Sequence, residues 1–145
     1  MMNCKRFEEL DKTELYELLR LRQEVFVIEQ DCNYLDLDRI DYEAYHLYET
    51  DKNNTILSYA RLYKDGSESH IGRVLTPANQ RRKGYGITLM REAIKQCQAI
   101  YGDQDITISA QEYLLAFYSG FGFVVEGDRY YEDNLPHFKM RLQFS

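Results

Sequence analysis

The most informative stretch of the chain is VLTPANQRRKGYGI, which runs from Val74 to Ile87. A predicted strand ends at Pro77, and a loop then leads into a helix that begins near Gly84. Unpaired N–H groups and the macrodipole at a helix start favour a bound anion. Gly84 and Gly86 let the backbone approach a phosphate closely, because neither carries a Cβ atom. We therefore predict an anion site in this loop, whose positive charges come from Arg81, Arg82 and Lys83.

Two common phosphate-binding motifs do not fit this loop. The Walker A pattern fails because Gly84 is followed by Tyr85 rather than by Lys and Ser or Thr. The dinucleotide pattern G-x-G-x-x-G fails because Leu89 stands where the third glycine belongs. Neither motif therefore identifies the anion.

Hydrophobic patterns on both sides of the loop predict the order helix, three strands, helix, strand, helix and two strands. The first helix opens with a capping box formed by Asp11 and Glu14 and continues through Phe26. Strands joined by short turns pair antiparallel, whereas the two strands that flank the Gly84 helix are most simply parallel. The predicted strands are Tyr45–Glu49, Ile56–Tyr63, Ser69–Thr76, Asp105–Ala110, Phe123–Glu126 and His137–Phe144. Together they predict a mixed central sheet with helices packed on it, an α/β (α+β) fold.

The segment from residue 31 to residue 43 is acidic and loop-like or weakly helical. Its only base is Arg39, and its carboxylates are those of Asp31, Asp36, Asp38, Asp41 and Glu43. The simple interpretation is a solvated loop. The functional hypothesis is a negative rim that attracts a cationic amine by electrostatic steering.

Length and composition limit the classes of protein. The chain has 145 residues and a net charge of −6, which suits a single domain and disfavours nucleic-acid binding. No apolar run is long enough to predict a membrane span, and the N-terminus lacks the apolar core of a secretory signal. Exposed strand edges would allow a homodimer.

The cysteines and histidines predict no metal site. Cys4, Cys32 and Cys97 are scattered, which suits a reducing, cytoplasmic compartment rather than a disulfide framework or a zinc site. The three histidines also lack metal-ligand spacing, so a structural or surface role is the simpler interpretation for each. They are His46, His70 and His137.

Two segments resemble the GNAT (Gcn5-related N-acetyltransferase) superfamily. The pattern Arg81-x-x-Gly84-x-Gly86, placed between a strand and a helix, resembles the acetyl-CoA pyrophosphate loop of that family, Q/R-x-x-G-x-G/A. The segment LAFYSGFGFV, Leu115–Val124, resembles the family's F-Y-x-x-x-G-F segment after the fifth strand. The region Leu19–Gln30 and the C-terminal Pro136–Met140 are similar to the ElaA-like branch.

The resemblance implies a GNAT-like domain over residues 1–145 that moves an acetyl group from acetyl-CoA to an amine. The acceptor would be a small molecule or a peptide, possibly cationic in view of the acidic segment. The alternative is a non-catalytic module that binds acetyl-CoA as a sensor or regulator, because fold does not by itself imply function.

The resemblance also implies roles for individual residues. Tyr118 matches the tyrosine that protonates the CoA thiolate in many members. A bulge in the strand before the loop is expected to free backbone N–H groups near Val74 and Leu75, where neighbouring strands splay apart. The implied cofactor-binding residues are Val74, Leu75, Thr76, Arg81, Arg82, Lys83, Gly84, Tyr85 and Gly86.

The acceptor side is less defined. The candidate substrate-binding residues are Arg22, Glu24, His46 and Arg73. An alkylammonium group, with a pKa near 10, must lose a proton before it attacks a thioester. The base is left open among Glu24, His46, His70 and a chain of water molecules.

Overall fold

The computed structural model describes residues 1–144, so Ser145 of the predicted domain lies outside the described residues. The strands are β1 Met2–Arg6, β2 Tyr45–Thr50, β3 Ile56–Asp65, β4 Glu68–Leu75, β5 Ile106–Gln111, β6 Val124–Glu132 and β7 Leu135–Leu142. The α-helices are α1 Lys12–Arg22, α2 Tyr85–Tyr101 and α3 Leu115–Ser119. The seven strands form one sheet in the order β1-β2-β3-β4-β5-β7-β6. Strands β4 and β5 are parallel and the other neighbours are antiparallel, which confirms the predicted mixed sheet.

The start of α1 follows directly from the sequence. The Asp11 carboxylate accepts a hydrogen bond from the Glu14 backbone N–H at 2.7 Å, and the Glu14 side chain accepts one from the Asp11 N–H at 3.0 Å. This capping box satisfies N–H groups that have no partner within the helix. After Arg22 the chain continues as a π-helical segment, Gln23–Glu29, where the sequence pattern had predicted ordinary helix.

Two parts of the sheet differ from the predicted pattern. The segment Met2–Arg6 forms an additional edge strand, antiparallel to β2, that the sequence pattern does not predict. Strand β6 reaches Glu132, past an irregularity between Glu126 and Tyr130, so the last hairpin turns on two residues only. These residues, Asp133 and Asn134, have φ values of +53° and +63°, which short polar side chains tolerate.

Strand β4 contains the expected bulge just before the basic loop. The register with β3 places both Arg73 and Val74 opposite Ala60. Arg73 has a φ of +49°, which is uncommon for a residue with a side chain. Bulges leave the extra residue unpaired and bend the strand, and they are frequent beside active sites.

Strands β4 and β5 pair over a short distance and then diverge. Their register contains Ser69 opposite Ile106 and His70 opposite Thr107. Beyond Thr107, the register of β5 continues with β7 on its other side as far as Gln111. A cleft therefore opens between β4 and β5, in the middle of the sheet.

The helices cover the two faces of the sheet unequally. Helices α2 and α3 contribute Leu89, Met90 and Tyr118 to the larger buried cluster, which the sheet completes. The smaller cluster joins Leu18 of α1 to the opposite face of the sheet. Because side chains alternate along a strand, neighbouring residues of one strand supply the two clusters. The cleft between β4 and β5 consequently connects both layers of the molecule.

Candidate active site

A cavity of about 880 Å³ occupies the cleft between β4 and β5. Segments from every layer meet there: the bulged end of β4, the basic loop, α3, the π-helical segment and the β6–β7 turn. Most of the predicted cofactor-binding residues line it, namely Val74, Leu75, Thr76, Arg81, Arg82, Gly84, Tyr85 and Gly86. Lys83 instead lies at the surface, where its Nζ is 3.4 Å from Gln80 Oε1.

The basic loop has the backbone geometry of an anion site. Arg82 and Gly84 have φ values of +65° and +87°, and Gly84 is the last residue before α2. Alternation of left- and right-handed residues turns successive N–H groups toward one point, at the positive end of the helix. A Cβ atom on Gly84 would meet nothing within 4 Å, whereas one on Gly86 would touch the Phe117 ring at 3.6 Å. The space around the Cβ position of Gly84 is therefore open, and Gly84 is one of the residues that line the cavity.

The charge of Arg81 is already paired. Its guanidinium binds the Glu29 carboxylate, with one contact of 2.8 Å, and its Nε donates to the Thr76 carbonyl at 3.0 Å. Hydrogen bonding from Arg81 also lowers the pKa of Glu29. Arg81 therefore joins the loop to the π-helical segment, and Glu29 balances one of the three positive charges predicted for the anion site. The exposed side chain of Arg82 is the cation that the loop presents at the cavity.

Tyr118 reaches the cavity from α3. It is 6% exposed, and its ring packs edge-on against Phe117 at 5.2 Å and Phe123 at 6.3 Å. Burial raises the pKa of the Tyr118 hydroxyl, so this group keeps its proton at neutral pH. The aromatic contacts fix the ring, and Tyr118 can donate a hydrogen bond or a proton into the cavity.

Three of the predicted acceptor residues lie outside the cavity lining, which corrects their assignment. Arg22 is 1% exposed and is enclosed by Asp36 and Asp41, at 2.9 and 2.6 Å. Glu24 is exposed on the outer face of the helix, 3.8 Å from Arg20. The helical spacing of the sequence did not show which side of the helix faces the cavity.

His46 has neither ring nitrogen free. Its Nε2 donates to the Asp41 carbonyl at 3.0 Å, because a carbonyl only accepts, and its Nδ1 accepts from the Tyr59 hydroxyl at 2.7 Å. Burial lowers the pKa of His46. This histidine is a structural residue of the core and no longer a candidate base.

Three of the five carboxylates in the acidic segment are paired with arginines, namely those of Asp36, Asp38 and Asp41. Arg61 contacts Asp38 at 2.6 Å and Asp41 at 3.1 Å, while Arg73 contacts Asp36 at 2.7 Å. Together with the Arg22 pairs, three arginines face these three aspartates, so their formal charges cancel. The steering hypothesis is therefore corrected for these carboxylates. Arg73 alone of the four predicted acceptor residues lines the cavity.

This ion network should make the fold sensitive to acid. Burial alone would raise the pKa of Asp38, but the bonds to Arg61 lower it to about 2, from an ordinary value of 3.8. A carboxylate with a depressed folded-state pKa contributes its stability above the unfolded value and loses it as the pH falls toward the folded one. We expect urea-unfolding stability to fall between about pH 4 and pH 2. In Asp38→Asn this fall should be shallower, and equal pH profiles would contradict the role of Asp38.

The other two histidines, His70 and His137, line the cavity. His70 was a base candidate from the sequence, whereas His137 was expected to be structural or at the surface. His70 Nδ1 is 3.3 Å from Thr107 Oγ1, and burial lowers the pKa of this imidazole to about 4. His137, 5% exposed, donates from Nδ1 to the Leu135 carbonyl at 2.8 Å. The available sequence signal for His137 was its place in the Pro136–Met140 resemblance.

One of the three cysteines, Cys32, lines the cavity. Cys4, Cys32 and Cys97 are free thiols, and burial raises the pKa of each. Within residues 1–144, no group of three or more His, Cys, Asp and Glu side chains is arranged to hold a metal ion. Over the same described range, no helix combines the length and apolarity that crossing a membrane requires.

Comparison with known proteins identifies the family. A model of the acetyltransferase (GNAT) domain matches residues 21–144, and the chain belongs to this family. A UPF0039 protein of Schizosaccharomyces pombe is 38% identical over 141 residues, 96% of this chain and 94% of the relative. The crystal structure of ElaA from Escherichia coli is 34% identical, with a TM-score of 0.93 over 99% of both chains. An acyl-CoA N-acyltransferase from Pseudomonas aeruginosa is 36% identical, with a TM-score of 0.93 over 98% of both. The predicted resemblance to the ElaA-like branch is confirmed.

Proposed function

We propose that this protein transfers an acetyl group from acetyl-CoA directly to the amine of a small-molecule or peptide acceptor. One observation carries the proposal: a single cavity joins the bulged strand β4, the anion loop at the start of α2 and the hydroxyl-bearing Tyr118. Family membership supports the acyltransferase class. The similar Pseudomonas aeruginosa protein is described as an acyl-CoA N-acyltransferase.

The loop would hold the pyrophosphate of the donor. The backbone N–H groups around Gly84 and Gly86 suit a dianion, and Arg82 adds an exposed positive charge. Arg81 would hold the loop in place through Glu29 and Thr76. Pantetheine would then run along Val74–Thr76 in the place that β5 leaves vacant after Thr107.

The bulge would supply electrostatic stabilisation. Backbone N–H groups near Val74 and Leu75 lie where β4 bends, and an unpaired N–H there can donate to the oxygen of the thioester as it gains charge. The cleft also holds donor and acceptor side by side, which removes much of the entropic barrier to reaction. A thioester needs little further activation.

Tyr118 would protonate the departing CoA thiolate, since burial keeps its hydroxyl protonated. We expect Tyr118→Phe to lower kcat about tenfold, less than the usual effect of a general acid because a thiolate leaves readily. Acetyl-CoA affinity should stay unchanged. The control is Tyr131→Phe, which removes the same group from an exposed position of β6. Equal kcat values for both variants would contradict the acid role.

The test of the proposed function is release of free CoA thiol from acetyl-CoA in the presence of amines. Polyamines, amino acids, aminoglycosides and peptide N-termini cover the main acceptor classes. Thiol release that depends on one class supports the proposal. Thermal stabilisation by acetyl-CoA, without release for any amine, would favour the non-catalytic binding module instead.

The cellular compartment, the absence of nucleic-acid partners and the homodimer remain predictions. The scattered free cysteines agree with a reducing, cytoplasmic compartment. The net charge of −6 agrees with partners other than nucleic acid. The exposed edge strand β6 would allow a homodimer.

A further inference from the structure

We propose that His137 is the general base that takes the first proton from the acceptor's ammonium group, an inference that rests on the proposed acetyl transfer. His137 lies on β7 and lines the cavity, as do its neighbours Leu135 and Glu132. It is 5% exposed, so protein atoms rather than solvent surround its ring.

The hydrogen bonds of His137 set its tautomer. Its Nδ1 lies 2.8 Å from the Leu135 carbonyl oxygen. Because a carbonyl oxygen can only accept, Nδ1 must carry the proton in the neutral ring. The lone pair of the neutral imidazole is therefore on Nε2. A hydrogen bond from the other ring nitrogen to a backbone carbonyl commonly orients a catalytic histidine.

A carboxylate and an aromatic ring lie beside the His137 imidazole. The Glu132 carboxylate lies 3.6 Å from Nε2, close enough to stabilise an imidazolium and longer than a good hydrogen bond. The Glu132 side chain is 50% exposed, which gives the proton a route to solvent. The Tyr130 ring stacks on the imidazole at 6.0 Å and 26°, and its hydroxyl is bonded to Ser109.

His137 also stands where an acceptor would approach the thioester. In β5, Ile108 and Ala110 belong to the core beneath α2, so Ser109 and Gln111 point to the opposite face of the sheet. His137 pairs with Gln111 across the β5–β7 ladder, and both side chains line the cavity. The basic loop, which would hold the donor, lies at the end of the cavity formed by β4 and α2. The acceptor would then enter from the β5–β7 side.

The rival bases fit less well. Glu24 is exposed outside the cavity lining, and both nitrogens of His46 are occupied. His70 lines the cavity, but burial and the positive charge of Arg61 lower its pKa to about 4. Such a weak base takes a proton from an alkylammonium group poorly. Of the four candidates with a side chain, His137 alone combines a free lone pair with a carboxylate beside it.

The proton balance is complete with these groups. Nε2 of His137 takes one proton from the ammonium group, and the free amine attacks the thioester carbon. The C–N bond forms, the C–S bond breaks, and Tyr118 gives its proton to the thiolate. The second proton of the amine nitrogen returns through solvent to Tyr118, while the imidazolium passes its proton to Glu132 and water. One proton is released for each amide formed.

The kinetic test uses the amine that gives most thiol release with the native protein. His137→Gln should lower kcat/KM about 100-fold at pH 7, with unchanged acetyl-CoA affinity. The loss should shrink as the pH approaches the amine's own pKa, near 10 for an alkylamine, because solvent then supplies the free amine. His70→Gln is the comparison, and its loss should be the same at every pH. A loss for His137→Gln that is equally independent of pH would overturn the proposal.

A second measurement needs no acceptor and separates this proposal from the proposed function. The two-bond ¹H–¹⁵N spectrum of the labelled protein, assigned with His137→Gln, reports which ring nitrogen is unprotonated in the neutral form. The expected result is an unprotonated Nε2. A proton on Nε2 would overturn the base proposal even in an active enzyme. Absence of thiol release for every amine, with Nε2 unprotonated, would instead reject the acetyl transfer on which it rests.

Discussion

Gly84→Leu is expected to weaken acetyl-CoA binding about 1000-fold while the protein stays folded. Gly84 has a φ of +87° and open space where a side chain would begin, and it is one of the residues that line the cavity. A leucine there would fill the position of the pyrophosphate and separate it from the N–H groups of the loop. Loss of two charge-assisted hydrogen bonds, at about 2 kcal/mol each, corresponds to this change in affinity.

The matched control for this variant is Gly66→Leu. Gly66 has a φ of +64°, a Cβ atom there would also meet nothing within 4 Å, and it lies in the turn between β3 and β4, outside the cavity lining. Both variants should lose roughly 1–2 kcal/mol of stability, the cost of a left-handed residue with a side chain. Calorimetric titration with acetyl-CoA should show weakened binding by Gly84→Leu and native-like binding by Gly66→Leu. Equal, native-like affinities would contradict the placement of the donor.

Arg22→Met is expected to lower the free energy of unfolding by about 3–5 kcal/mol. Arg22 is 1% exposed, and its guanidinium lies against the Tyr59 ring at 5.8 Å and between Asp36 and Asp41. Its loss leaves two nearly buried carboxylates with fewer partners. Uncompensated buried charge is among the most destabilising changes in a protein interior.

Arg20→Met provides the control on the same helix. The Arg20 side chain is 63% exposed and lies 3.8 Å from Glu24, so its removal should cost less than about 0.5 kcal/mol. Urea unfolding measures both. Addition of Asp41→Asn to Arg22→Met should cost less than the two single changes combined, because both charges of one pair are then gone. Equal stabilities of Arg22→Met and Arg20→Met would contradict the buried network.

Local signals in the sequence were sufficient to predict where α1 and α2 begin. The carboxylates of Asp11 and Glu14 cap α1 as the motif predicts, and the glycine that precedes α2 takes the left-handed conformation that only a flexible residue adopts freely. The strand β1 was not predicted because Met2–Arg6 is short and contains both apolar and charged residues. Its pairing with β2 places it in the sheet, and strand preference depends strongly on such partners.

Long-range partners explain what the sequence could not show at the site. Asp36 meets Arg73, 37 positions away, and Asp38 meets Arg61, 23 positions away. Asp36 and Asp38 therefore looked like free acidic groups in the sequence, although arginines from two strands pair with them. The sequence also could not show the state of His137. Its Nε2 is unprotonated because Nδ1 donates to the Leu135 carbonyl, and the turn geometry creates that hydrogen bond.

The most direct test of the central claim is a mass spectrum of the acceptor amine after incubation with the protein and acetyl-CoA that is deuterated in the acetyl group. Direct acetyl transfer predicts that the label appears as an amide on the amine nitrogen in step with thiol release, and that Gly84→Leu abolishes both at the same acetyl-CoA concentration. Thiol release with the label recovered only as free acetate, or tight acetyl-CoA binding with no labelled amine, would contradict an N-acetyltransferase.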